Sequence, residues 1–136
     1  MTRAAPPDTE RVAAGTVRPG RAVLWPSLVG ITVLVQLVVL YSPSGPGEQP
    51  FPHSDKVVHL LVFLVPVTVA LLAGAARWLV VVAFGAHAVV SEVVQALLLP
   101  TRSGNLADAV VDLVGVALGV VLWRALVRRG AVLPDA

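Results

Sequence analysis

Four apolar runs, each long enough to cross a bilayer, constrain this chain of 136 residues more than any other feature. A helix needs about 20 predominantly apolar residues to cross the ~30 Å hydrocarbon core. Such runs lie at about 22–41, 56–73, 78–99 and 106–127. Lipid tolerates only helices or closed barrels, and these runs lack the short alternating pattern of barrel strands. We therefore expect an all-α fold, an integral membrane bundle of four transmembrane helices within residues 22–128.

Composition supports a membrane location and narrows the partners. The chain is 57% hydrophobic and only 13% charged, whereas soluble domains carry about 25% charged residues. It has no cysteine, which excludes disulfides and cysteine-ligated zinc. Its basic residues form no soluble basic face, so no nucleic-acid partner is expected. The expected partner is the lipid bilayer, and an oligomer remains open.

The basic residues divide unevenly between the two predicted membrane faces. One face has only Lys56 and Arg102, and the other has the remaining eight: Arg3, Arg11, Arg18, Arg21, Arg77, Arg124, Arg128 and Arg129. The positive-inside rule places the richer face in the cytoplasm. We therefore predict a cytoplasmic (inner) membrane protein with both termini inside, a disordered basic tail at 1–21 and a short tail at 129–136. No A-x-A site follows the first span, so we expect it to be retained rather than cleaved.

Polar side chains gather in one layer at the predicted outer ends of spans two, three and four. Such residues inside a membrane segment are expensive and usually face protein or water. Glu92 is the hardest to explain otherwise, because it neither caps a helix nor lies at a helix end. We use the name polar cluster for the whole set: Asp55, Lys56, His59, Glu92, Gln95, Arg102, Asp108 and Asp112.

Helical spacing predicts which way these side chains face. Asp108, Asp112, Gly115 and Gly119 follow one stripe along span four. The two glycines form a G-x-x-x-G pattern, which lets another helix approach closely. The stripe should therefore pack inward and turn its two acids toward protein.

Local helix chemistry offers simpler roles for some of these groups. Ser54 looks like an N-cap before span two, and Asn105 with Asp108 resembles a capping box before span four. His87 is expected to be a hydrogen-bonded core histidine with Ser91 one turn on.

The charges of the polar cluster do not balance. Its four acids face two fixed cations, with His59 able to supply a third, so the surplus acid is able to hold a proton or a cation. His59 with Glu92 and the two Asp residues has the composition of a metal shell. However, no H-x-x-x-H or H-E-x-x-H pattern is present, and we predict no metal and no cofactor.

Three stretches, "DKVVH", "SEVVQALLLPTRSG" and "ADAVVDLVGVALG", together resemble the VanZ-like family of small bacterial membrane proteins. The resemblance runs from Asp55 to Gly119, in the family order D-K-x-x-H, E-x-x-Q, an Arg after a Pro-containing turn, and D-x-x-x-N-x-x-G-x-x-x-G. Two positions depart from it. Asp112 stands where the family has Asn, and Phe63 stands where Tyr is expected, so a charge is gained and a hydroxyl is lost.

The resemblance implies a role at the cell envelope, because the founding member is associated with resistance to glycopeptide antibiotics, teicoplanin in particular. The leading hypothesis is that the polar cluster binds an anionic lipid head, a cell-wall precursor or a glycopeptide. A second hypothesis is an intramembrane enzyme acting on a lipid-linked substrate, with Glu92 or His59 as general base and water as the attacking group; no catalytic residue is assigned. A structural lock between helices and a proton- or cation-coupled transporter are further alternatives.

Overall fold

The computed structural model describes residues 19–42, 53–99 and 104–130, with the side chains of residues 19–22 excepted. These residues form four helices: α1 (Pro19–Tyr41), α2 (Ser54–Leu72), α3 (Arg77–Leu98) and α4 (Leu106–Arg128). Each is long and apolar enough to cross a membrane, and no strand occurs in the ranges just given. The predicted all-α fold with four membrane-length helices is confirmed.

The helix ends differ slightly from the predicted spans. Helix α1 begins at Pro19, so the last three residues of the predicted 1–21 tail are helical. Proline suits a first helical position because its missing N–H would have no intrahelical partner there. The rest of that tail and residues 43–52, 100–103 and 131–136 lie outside the described residues.

The predicted cap of α2 at Ser54 is wrong. His53 occupies the N-cap position, with left-handed backbone (φ 63°) and no side-chain cap hydrogen bond. The helix thus starts one residue earlier than expected, and Ser54 is a buried residue of the first turn. The predicted cap of α4 is confirmed, since the Asn105 side chain accepts a hydrogen bond of 3.0 Å from the Asp108 backbone N–H.

The helices place apolar side chains on the surface of the bundle and polar side chains inside it. Large apolar side chains cover the surface, among them Leu106 at 82% exposure and Leu97 at 75%. Several polar side chains lie inside, and Ser91 and Asp112 are completely buried. In water this arrangement would expose a large apolar area, whereas in a bilayer it buries the expensive groups against protein. The chain is a multi-pass membrane protein.

Helix α2 is the centre of the bundle and packs most closely on α4, which runs parallel to it. A Cβ added at Gly115 would lie 2.5 Å from the Leu60 carbonyl oxygen, and one at Gly119 would lie 2.8 Å from Val67 Cγ1. Only glycine permits this approach. The Thr68 hydroxyl then donates to the Gly119 carbonyl across the interface, at 3.2 Å.

The apolar core fills the part of the bundle away from the polar cluster. It is built around completely buried residues such as Leu40, Phe63 and Val67. Phe63, one turn along α2 from His59, contacts the His87 ring with centroids 5.6 Å apart. The polar end is formed by the beginnings of α2 and α4 and the last turns of α3.

Candidate functional site: a polar cluster at one end of the bundle

An ion pair between α2 and α4 forms the partly exposed edge of the polar cluster, which we call its mouth. The Lys56 ammonium donates to Asp108 Oδ1 at 2.6 Å. The Lys56 side chain is 33% exposed, and that of Asp108 is only 9% exposed. The other oxygen of Asp108 accepts from the Asn105 side-chain amide. Lys56 is therefore partly exposed at the surface, while its partner Asp108 is buried and also bound by Asn105.

Three groups meet below this pair, each from a different helix. His59 Nδ1 of α2 lies 3.0 Å from Asp112 Oδ1 of α4 and 3.7 Å from Glu92 Oε1 of α3. We call His59, Glu92 and Asp112 the buried triad. All three are at least nine-tenths buried, and Asp112 is completely so. Their chemistry is that of an imidazole between two carboxylates in a buried site.

Glu92 is held in place by the segment that begins α4. The Asn105 backbone N–H donates to Glu92 Oε2 at 2.8 Å. Just before it, Gly104 lies so close to α3 that a Cβ would collide with the Glu92 carbonyl oxygen and stand 2.8 Å from the Ala96 backbone nitrogen. The segment can therefore lie against α3 only because residue 104 is glycine, and this contact aims Glu92 Oε1 at His59.

Several buried polar atoms of the cluster have no hydrogen-bond partner among the described residues. They are Glu92 Oε1, Asp112 Oδ2 and Gln95 Nε2. A buried polar atom without a partner costs about 1–3 kcal/mol. Each carboxylate of the triad thus has one oxygen anchored and one oxygen free to accept a proton or to bind a ligand.

The remaining predicted members behave differently. Asp55 is half-buried in the first turn of α2 and has no hydrogen-bond partner in the described part of the chain. Gln95 is buried one turn after Glu92. Arg102 lies outside the described residues. The packing glycines, Gly115 and Gly119, lie against α2 as described above.

Two contacts were not foreseen from the sequence. Asn105 was interpreted only as a cap paired with Asp108, yet its backbone N–H also donates to Glu92. His87 is hydrogen-bonded as expected, but its partner is the Tyr41 hydroxyl at 3.0 Å rather than Ser91, whose hydroxyl donates to the Ala88 carbonyl. No local spacing signals either contact, because each joins groups that are far apart in the sequence.

The same reason explains why the buried triad was not predicted as a ligand set. Local metal motifs place two ligands on one helix, whereas here each helix contributes one group. One ligand atom from each of His59, Glu92 and Asp112 lies within 4.8 Å of the others. The sequence therefore offered the composition of a metal shell, His59 with Glu92 and the two Asp residues, but not which of these groups meet.

Fold and site together define a class: a multi-pass helical membrane protein with a charged cluster buried at one end of the bundle. No protein-family model, no curated protein and no solved structure matches this chain. The VanZ-like resemblance therefore stays a prediction based on its motif residues.

Proposed function

We propose that this protein is an envelope protein of the cytoplasmic membrane whose polar cluster binds the head of an anionic lipid or lipid-linked cell-wall precursor. The observation that carries the proposal is the partly exposed Lys56 beside buried cluster members whose polar atoms are incompletely paired. The VanZ-like resemblance supports an envelope role and adds glycopeptides such as teicoplanin as candidate ligands. By the positive-inside rule, the polar end faces outward and both termini lie in the cytoplasm.

Charge at the mouth suits a ligand that carries an anionic group. Helices α2 and α4 both begin at this end, and the free N–H groups of helix N-termini favour anions. Lys56 adds a full positive charge, although Asp108 already pairs with it. An anionic head would share the Lys56 ammonium with Asp108.

A shallow groove explains why the ligand would be a lipid. It has a volume of about 280 Å³ and runs between α3 and α4. Its walls are apolar and include Val89 and Val93, both of which are half-exposed to lipid, while Glu92 and Asn105 also line it. A molecule with an acyl or polyprenyl chain would lie in this groove and present its head to the polar cluster.

The test is the thermal stability of the purified chain in detergent with three ligands: an anionic phospholipid, a lipid-linked cell-wall precursor and teicoplanin. A ligand at about 100 times its Kd stabilises the native state by about 2.7 kcal/mol. We expect one of the lipids to raise the unfolding midpoint of the wild type but not of Lys56→Gln. The control is Arg77→Gln, which removes one exposed charge at the opposite end of the bundle and should leave the shift intact.

The other outcomes identify the alternatives. If only teicoplanin raises the unfolding midpoint, the ligand of the polar cluster is a glycopeptide and not a lipid. If no ligand shifts the wild type and Glu92→Gln merely lowers its midpoint, the polar cluster is a structural lock and the binding proposal is wrong.

One observation favours a second candidate, an intramembrane hydrolase. The His59 imidazole is oriented by Asp112 through a 3.0 Å hydrogen bond, which is the arrangement of a general base and its orienting acid. Release of phosphate from a lipid-linked substrate by the wild type, and its loss in His59→Gln with helicity unchanged, would establish this reaction. The absence of any release would leave binding as the function.

A further inference from the structure

The buried triad has the spacing of a metal shell. Two ligands that each lie about 2.1 Å from a tetrahedral ion are about 3.4 Å apart. In the triad, the His59 Nδ1 atom lies 3.0 Å from Asp112 Oδ1 and 3.7 Å from Glu92 Oε1. These two separations bracket the expected value, and one ligand atom from each of the three residues lies within 4.8 Å of the others.

The free oxygens supply the second, independent indication of a ligand. Glu92 Oε1 and Asp112 Oδ2 have no partner in the described ranges, although Glu92 is only 6% exposed and Asp112 is not exposed at all. The opposite oxygens are occupied, Glu92 Oε2 by the Asn105 N–H and Asp112 Oδ1 by His59. The hydrogen bond from Asn105 therefore fixes Glu92 by one oxygen and leaves the other oxygen facing His59. Hydrogen bonds from outside the ligand set fix the ligands of metal sites in the same way.

Charge also favours a divalent cation. A neutral imidazole and two carboxylates carry a formal charge of −2, which a divalent ion balances. Lys56 is unsuited to this task because its ammonium already pairs with Asp108. A mixed set of imidazole and carboxylate ligands suits Zn²⁺, while Mg²⁺ and Ca²⁺ prefer oxygen alone.

We propose that His59, Glu92 and Asp112 form a binding site for a divalent transition-metal ion, with Zn²⁺ as the best-fitting member of the class. In the bound form, Nδ1 of neutral His59 exchanges its hydrogen bond to Asp112 for the metal. Three protein ligands leave one position of a tetrahedral ion open for water or a ligand group. The site departs from the sequence-based prediction of no metal, and it stands whether or not the cluster binds a lipid.

The first experiment measures Zn²⁺ binding to the tag-free full chain in detergent, by calorimetric titration and by metal analysis after gel filtration. We expect one ion per chain for the wild type. Asp112→Asn and Glu92→Gln should each weaken binding at least about tenfold, since each removes one charged ligand. The control is His87→Gln, which removes an imidazole that lies outside the polar cluster and pairs with Tyr41, and it should change the affinity by less than about threefold.

Two results would overturn the proposal. One is a wild-type chain that retains no Zn²⁺. The other is a His87→Gln variant that loses as much affinity as Asp112→Asn, which would mean that the affinity follows the packing of the bundle and not the three proposed ligands.

A second measurement uses the wild type alone, in case the variants fail to fold. X-ray absorption of the Zn²⁺-loaded chain should show one imidazole and otherwise oxygen ligands. Two or more imidazoles, or a shell of oxygen alone, would refute the assignment of His59 as the single nitrogen ligand.

Discussion

The contact between α2 and α4 yields the sharpest test of the fold. A methyl group added by Gly115→Ala would lie 2.5 Å from the Leu60 carbonyl oxygen and 3.0 Å from Phe63 Cβ. Real Cβ atoms do not approach other atoms closer than 3.0 Å, so the two helices must separate by about half an ångström. Since α2 and α4 also carry His59 and Asp112, the same movement would lengthen the hydrogen bond between them.

The expected magnitude follows from two opposing effects. Overpacking a close contact costs about 1–3 kcal/mol. Replacing glycine by alanine inside a helix recovers up to about 1 kcal/mol of intrinsic propensity. The matched control is Gly85→Ala, where the nearest atom to the added methyl is Leu113 Cδ2 at 3.9 Å. Both variants gain the propensity, so Gly115→Ala should be less stable than Gly85→Ala by about 1–3 kcal/mol.

Reversible unfolding of the purified protein in mixed micelles, followed by far-ultraviolet circular dichroism, measures this difference. A third variant, Gly30→Ala, adds a methyl with no atom within 4 Å and should be as stable as the wild type or more so. Equal stabilities for Gly115→Ala and Gly85→Ala would refute the close packing of α4 on α2.

Three further predictions use the same preparation. Asn105→Ala should lower the free energy of unfolding by about 1 kcal/mol through loss of the α4 cap; an unchanged value in the unfolding assay would mean that the cap contributes nothing. Gln36 is 1% exposed and its amide has no partner among the described residues, so Gln36→Leu should raise that energy by about 1 kcal/mol, and a decrease would reveal a partner. Because the chain has no cysteine, Glu48→Cys should react with an impermeant maleimide on intact cells and Arg129→Cys only after permeabilisation; the reverse pattern would invert the proposed topology.

The four helices could be predicted from the sequence because length and hydropathy alone decide whether a segment crosses a bilayer. Their ends could not be predicted to the residue. The start of α2 depends on the left-handed backbone of His53. The local sequence had instead predicted Ser54 as the cap. The start of α4 was correct because Asn105 and Asp108 satisfy each other within one turn, so the relevant contact is local in sequence.

The candidate site was predictable as a layer but not as a set of contacts. The helical spacing along α4 predicted that Asp108 and Asp112 face the interior, and both are buried in the structure. Which acid meets which cation depends on how three helices are rotated against one another, and helical spacing carries no information on that rotation. The division into a mouth, Lys56 with Asp108, and an interior, His59 with Asp112 and Glu92, therefore came only from the structure.

The pairing within the polar cluster bears on whether it is merely a lock between helices. Helices α2 and α4 are already in backbone contact at Gly115 and Gly119, so their association does not depend on polar groups alone. A lock is most stabilising when every buried donor and acceptor is paired, because each unpaired atom costs about 1–3 kcal/mol. Here Glu92 Oε1 and Asp112 Oδ2 lack partners in the described part of the chain, and Lys56 is one-third exposed. A cluster whose described members are incompletely paired and which reaches the surface at Lys56 has the arrangement of a binding site. This is the physical reason to prefer binding over a purely structural role.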